Sequence, residues 1–103
     1  MNQQDIDARV GAAWEALQAG DYQTAIEQFE QLVAEHPEHI DAQWGLGLAY
    51  RHAGNRESAL RAFEQVKAMV EAELTEHPKE HGRWFILNRM VQQQIEQLAG
   101  GSQ

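Results

Sequence analysis

IDAQWGLGLAYRHAGNRESALRAFEQVKA, residues 40–68, is the second use of a pattern that the chain has already spelled once. Moved back by 34 positions, from Ile40 to Ile6, it falls on IDARVGAAWEALQAGDYQTAIEQFEQLVA, residues 6–34. Ile40, Asp41, Ala42, Gly45, Ala53, Gly54, Ala59, Phe63, Glu64, Gln65 and Ala68 then meet identical residues. Gly47 with Ala13, Leu60 with Ile26 and Val66 with Leu32 are near matches. A period of this length marks stacked helical hairpins, in which each unit buries its apolar face only against the next.

Within each unit the apolar residues recur at steps of three and four, the spacing of an amphipathic helix. From Asp5 to Ala19 they are Ile6, Val10, Ala13, Trp14 and Leu17. Gly20-Asp21 should end this helix, because glycine takes the left-handed turn that closes a helix at no steric cost. A second helix is expected from about Tyr22 to Glu35, with Ala25, Ile26, Phe29, Leu32 and Val33 on one stripe and Pro37 beyond its end. Ile40 to Ala53 makes a third, stopped by Gly54-Asn55, and a fourth begins near Arg56. There the repetition breaks. The period calls for proline at position 71, where Glu71 stands, and Pro78 comes seven residues late while Phe63, Val66, Val70 and Leu74 continue the stripe. Seven residues add about two turns, or ~10 Å of helix. A last helix, about Lys79 to Leu98, carries Trp84, Leu87, Val91, Ile95 and Leu98.

The expected architecture is therefore all-α, a solenoid of antiparallel hairpins with five helices in one domain over residues 1–99. The first repeat spans about 6–39 and the second about 40–78, with an extended second helix. A capping helix covers about 79–98, its outer stripe of Gln92, Gln93, Gln94, Glu96 and Gln97 facing water, and 100–103 form a loose tail.

Composition narrows the function. The formal charge is −8, with only eight Lys and Arg against sixteen Asp and Glu, so binding to a phosphate backbone is not expected. The same excess of acid keeps the chain soluble or complements a cationic partner. No run approaches the ~20 apolar residues that span a bilayer. Met1 to Asp5 has neither the basic nor the apolar region of a secretory signal. Cysteine is absent, which removes disulfides, thiol catalysis and thiolate metal sites. A cytoplasmic location is the default expectation.

These residues resemble the tetratricopeptide repeat (TPR) family. Its pattern sets a bulky residue, Leu-Gly and an aromatic on the first helix, then Ala, an aromatic, an aliphatic and Pro on the second. The second repeat here carries Trp44 (one place off the usual bulky position), Leu46, Gly47, Tyr50, Gly54, Ala59, Phe63 and Val66. The first has Ala12, Ala13 and Ala16 where Leu, Gly and Tyr are usual, but Gly20-Asp21-Tyr22, Ala25, Phe29, Leu32 and Pro37 agree. The last helix looks like the lone first helix of a third repeat. The resemblance implies a right-handed superhelix whose concave face is lined by the first helix of each repeat, and a protein–protein interaction module or scaffold. Carried over by position, that face comprises Asp7, Val10, Trp14, Leu17 and Gln18, then Asp41, Trp44, Leu48, Arg51 and His52, then Phe85, Arg89, Gln92 and Gln93. The partner-binding candidates among them are Val10, Trp14, Leu17, Trp44, Leu48, Arg51, His52, Phe85 and Arg89.

Two readings of these apolar residues stay open. They form a groove for a peptide or helix of a partner protein, anchored by aromatics and arginine, or they pack on one another in a short, tightly curled array. Family members that clamp the C-terminal carboxylate of heat-shock chaperones use Lys and Asn at positions held here by Val10, Trp14 and Gly45, so that mode is not expected. Two further expectations compete with the groove. One is a homodimer, or other homo-oligomer, formed through the apolar run Trp84-Phe85-Ile86-Leu87. The other is an acidic, chaperone-like holder of a client protein.

Nothing calls for catalysis or a cofactor. There is no glycine-rich phosphate loop, no nucleophile beside a base, and the two serines, Ser58 and Ser102, stand alone. His36-Pro37-Glu38-His39 and His77-Pro78-Lys79-Glu80-His81 each offer two imidazoles at a turn, half of what a closed zinc site needs, so no metal is expected. Glu71/Glu73 and Glu76/Glu80 read as solvated faces of acidic helices.

Overall fold

The computed structural model describes residues 3–100. Among them are five α-helices and no strand: α1 (Gln3–Gln18), α2 (Tyr22–Glu35), α3 (Ile40–His52), α4 (Arg56–Glu76) and α5 (His81–Ala99), with a 3-10 turn, Pro78–Glu80, before α5. Met1, Asn2, the side chains of Glu80 and His81, and all of the expected tail except Gly100 lie outside the described residues.

Both hairpins turn by the same device. Gly20 and Gly54 adopt φ of 83° and 85°. After α1 the Gly20 N–H donates to the Leu17 carbonyl (3.1 Å) and the Asp21 N–H to that of Ala16 (2.9 Å). After α3 the Gly54 N–H donates to Arg51 (3.0 Å) and the Asn55 N–H to Tyr50 (2.9 Å). These paired bonds satisfy the carbonyls that a helix end leaves open. The residue after each glycine then opens the next helix, since the Asp21 side chain accepts from the Thr24 N–H and that of Asn55 from Ser58. One residue thus helps close one helix with its backbone N–H and opens the next with its side chain, and the hairpin needs no longer loop.

The apolar stripes meet in two connected clusters. Val10, Ala13, Leu17, Ala25, Ile26, Phe29, Leu32, Ala42, Leu46 and Ala49 form the first. Ala59, Phe63, Val66, Val70, Trp84 and Val91 form the second, with Leu74, Leu87, Ile95 and Leu98 packed on it. Leu48 and Tyr50 lean on both. The alanines at 13, 25 and 59 are fully buried, so the helices of each hairpin approach closely where the repeat places small side chains.

The helix that breaks the repeat shapes the rest. α4 has 21 residues against 14 in α2. α3 packs against both helices of the preceding hairpin, whereas α5 lies along the longer α4 without a close backbone approach to α3. The result is a slab of 43 × 36 × 19 Å, two helices thick, that is left open between the first halves of α3 and α5.

Candidate functional site

The opening between α3 and α5 is a cleft of about 580 Å³. Its near wall starts at His39, whose extended backbone precedes α3 and whose Nδ1 accepts from the Ala42 N–H at 3.2 Å. Accepting at Nδ1 leaves the proton of the ring on Nε2. Glu38, Ile40, Asp41 and Trp44 complete this wall, Arg83, Trp84 and Leu87 of α5 form the opposite one, and Glu73 comes from the last turns of α4.

Two indoles define the cleft. Trp44 is half-buried, its ring centroid 5.3 Å from that of Phe63 at an interplanar angle of 56°. Trp84 is only 8% exposed, and the Arg83 guanidinium lies over its ring, 4.5 Å from the centroid. The buried Trp84 indole N–H has no hydrogen-bond acceptor among the described residues, although such donors are normally satisfied. The charge of the lining is unbalanced, with carboxylates at Glu38, Asp41 and Glu73 against the guanidinium of Arg83. Glu73 also reaches the His77 Nε2, at 3.7 Å.

The nine candidates from the sequence occupy several surroundings. Val10 and Leu17 are buried in the first cluster. Trp14 is half-buried, edge-on to Phe29 with centroids 5.3 Å apart. Leu48 sits between the clusters. Arg51 donates to Gln94, which ties α3 to α5, and lines a depression of about 210 Å³ with Gly54, Arg56, Gln97 and Leu98. His52 is exposed and stacks on Tyr22, ring centroids 5.5 Å apart. Phe85 and Arg89 line a depression of about 570 Å³ along the outer face of α5, with Ile86 and Met90. Trp44, Arg51 and Phe85 therefore border three different concavities. Trp84 and Glu73 entered the site without a sequence signal of their own. Trp84 belongs to the stripe that packs on α4, and only its position beside the cleft gives it a second role.

The turn histidines serve the backbone. His36 and His77 close α2 and α4, each N–H donating to the carbonyl four residues earlier at 2.8 Å, and His39 caps α3. Donor atoms of Glu73, Glu76 and His77 lie within 4.8 Å of one another at the end of α4, a grouping that the exposed ends of acidic helices produce without an ion. Away from the cleft, the Tyr50 hydroxyl donates to Glu30. Burial, then the hydrogen bond and charge of Glu30, push its pKa up to about 12. Arg9 makes two bonds to Glu35, at 2.8 and 3.1 Å, which hold that carboxyl below the usual carboxylate range.

No helix among the described residues is long and apolar enough to cross a membrane. The family model described as tetratricopeptide repeat matches residues 10–72. No curated protein matches the chain.

Proposed function

The chain belongs to the tetratricopeptide repeat family, whose repeats generally mediate protein–protein interactions, and we propose that it holds a peptide or helix of a partner protein in the cleft between α3 and α5, without catalysis. The observation that carries this reading is the half-buried Trp44 at the wall of a cleft of about 580 Å³. That volume suits a few side chains, and a rigid aromatic beside it supplies an anchor at low entropic cost. Of the other candidates, Leu48 lies between the two clusters and Val10 and Leu17 in the packed base, while Trp14, Arg51, His52, Phe85 and Arg89 stand outside this cleft. Peptides selected by display against the whole chain test the reading. Trp44→Ala should weaken the selected peptides by ~2 kcal/mol while the helical circular dichroism stays unchanged. Selected peptides that bind Trp44→Ala as tightly as the parent contradict it.

A second reading has its own observation. Phe85, Ile86 and Met90 are 45%, 61% and 44% exposed on the outer face of α5, a run of apolar surface that self-association would cover. Light scattering at micromolar concentration decides it, because a monomer there removes the homodimer. The two readings are compatible, since the cleft and this outer face are lined by different residues.

A further inference from the structure

We infer that the segment seated in the α3–α5 cleft is basic, presenting a lysine or arginine side chain to Glu38, Asp41 and Glu73 with its aliphatic stem on Trp44. This rests on the preceding reading and names the chemistry of the partner.

Two observations converge on a cation, and a third bears on the backbone that carries it. Among the described residues the lining carries three carboxylates and one guanidinium. A neutral or acidic segment would strip water from those carboxylates and return nothing for it, whereas an ammonium or guanidinium group replaces the lost hydration. The cleft already holds one cation against an indole, Arg83 over Trp84 at 4.5 Å. Trp44 is the second indole of the same lining, and the face of a tryptophan attracts a cation through its quadrupole. A long basic side chain suits both parts, since its stem lies on apolar surface while its head stays with the carboxylates.

The third observation concerns the backbone of the segment. Among the described residues the buried Trp84 N–H has no acceptor, and a peptide brings one carbonyl per residue. An extended basic segment thus answers the charge of the lining, its aromatic surface and its unsatisfied donor together.

The test uses the full chain labelled with ¹⁵N and two acetylated, amidated octapeptides, one alternating lysine with leucine and one alternating glutamate with leucine. At physiological ionic strength the lysine peptide should move the indole N–H signals of Trp44 and Trp84 and leave that of Trp14 in place. The glutamate peptide should move none of them. Paired changes in the cleft, Asp41→Asn with Glu73→Gln, should weaken the lysine peptide about tenfold or more. A pair of equal charge elsewhere, Glu15→Gln with Glu64→Gln, should change it by less than about twofold. Glu38→Gln, in the turn before α3, gives an independent loss should the double variant lose helicity. Equal losses from both pairs, binding of the glutamate peptide at the same signals, or no movement with lysine would each overturn the inference. A displayed peptide that binds through Trp44 but lacks basic residues would sink the basic partner and leave the cleft reading standing. If no peptide binds through Trp44, the cleft reading itself fails.

Discussion

Gly47 of α3 and Phe63 of α4 meet so closely that a methyl group built on the glycine would lie 2.5 Å from Cε1 of the ring. Gly45 stands in the same relation to Phe29 of α2, at 2.5 Å from its Cε1. Both rings are fully buried and have no room to retreat. Two glycines on opposite sides of one helix thus admit the aromatic of the preceding hairpin and that of their own.

Gly45→Ala and Gly47→Ala should therefore each destabilise the fold by about 1–3 kcal/mol, the usual cost of forcing extra volume into a packed core. Gly11 is the control. It holds the place of Gly45 in the first repeat, yet a methyl group added there would meet nothing within 4 Å. Gly11→Ala should stabilise by ~0.5–1 kcal/mol through helix propensity. Urea unfolding reads all three, and equal effects would contradict the assigned packing.

His39 is an uncommon helix cap, and its loss should be felt at the cleft. His39→Ala removes the acceptor for the Ala42 N–H and should cost about 1 kcal/mol. His39→Asp, which restores an acceptor, should recover most of it. Thermal unfolding of the two variants decides, and matching losses would mean that the cap contributes nothing.

Tyr50 should titrate well above an ordinary phenol, which ionises near ~10. In a Tyr22→Phe background the remaining tyrosine absorbance should rise with a midpoint near pH 12. The folded state keeps this proton longer than the unfolded chain does. Its contribution to stability is therefore complete below about pH 10 and is lost as pH rises through 12. Glu30→Gln should lower the midpoint without restoring it fully, because burial is the larger cause. A midpoint near pH 10 would show that the ring is not held as described.

The Arg9–Glu35 pair works in the opposite direction. Its hydrogen bonds keep Glu35 ionised below the usual carboxylate range. The stability it contributes is present above that range and falls away with acid as the carboxyl protonates. Carbon-detected NMR titration of Arg9→Gln should show the Glu35 carboxyl moving up, and an unmoved value would remove the pair from the fold's electrostatics. Added salt should mute the difference, since both groups are exposed to solvent.

The helices were legible because periodicity and punctuation coincide. The expected Tyr22 to Glu35 is the observed α2, and Gly20 and Gly54 close their helices as the turn chemistry requires. α5 starts at His81 instead of Lys79 because Pro78–Glu80 first forms a tight 3-10 turn. The site was harder to read. Trp44 stood out as a bulky residue on a first helix, and it lines the cleft. Glu73 arrives there only because α4 runs two turns too long, and a linear pattern does not say where that extra length ends up. Trp84 and Phe85 are neighbours in sequence but point about 100° apart around a helix, so the face of α5 that meets α3 depends on how the helix rotates. Nor does an apolar pattern separate groove from core: Val10 and Leu17 share the register of Trp14 and lie in the interior.

The most direct measurement compares two surfaces with one ligand. Calorimetric titration of a display-selected peptide into the parent, Trp44→Ala and Ile86→Ala chains weighs the cleft against the outer face of α5. The cleft predicts a loss of about thirtyfold for Trp44→Ala and no change for Ile86→Ala. Loss at Ile86 with binding intact at Trp44 would contradict it and move the partner to the other side of α5.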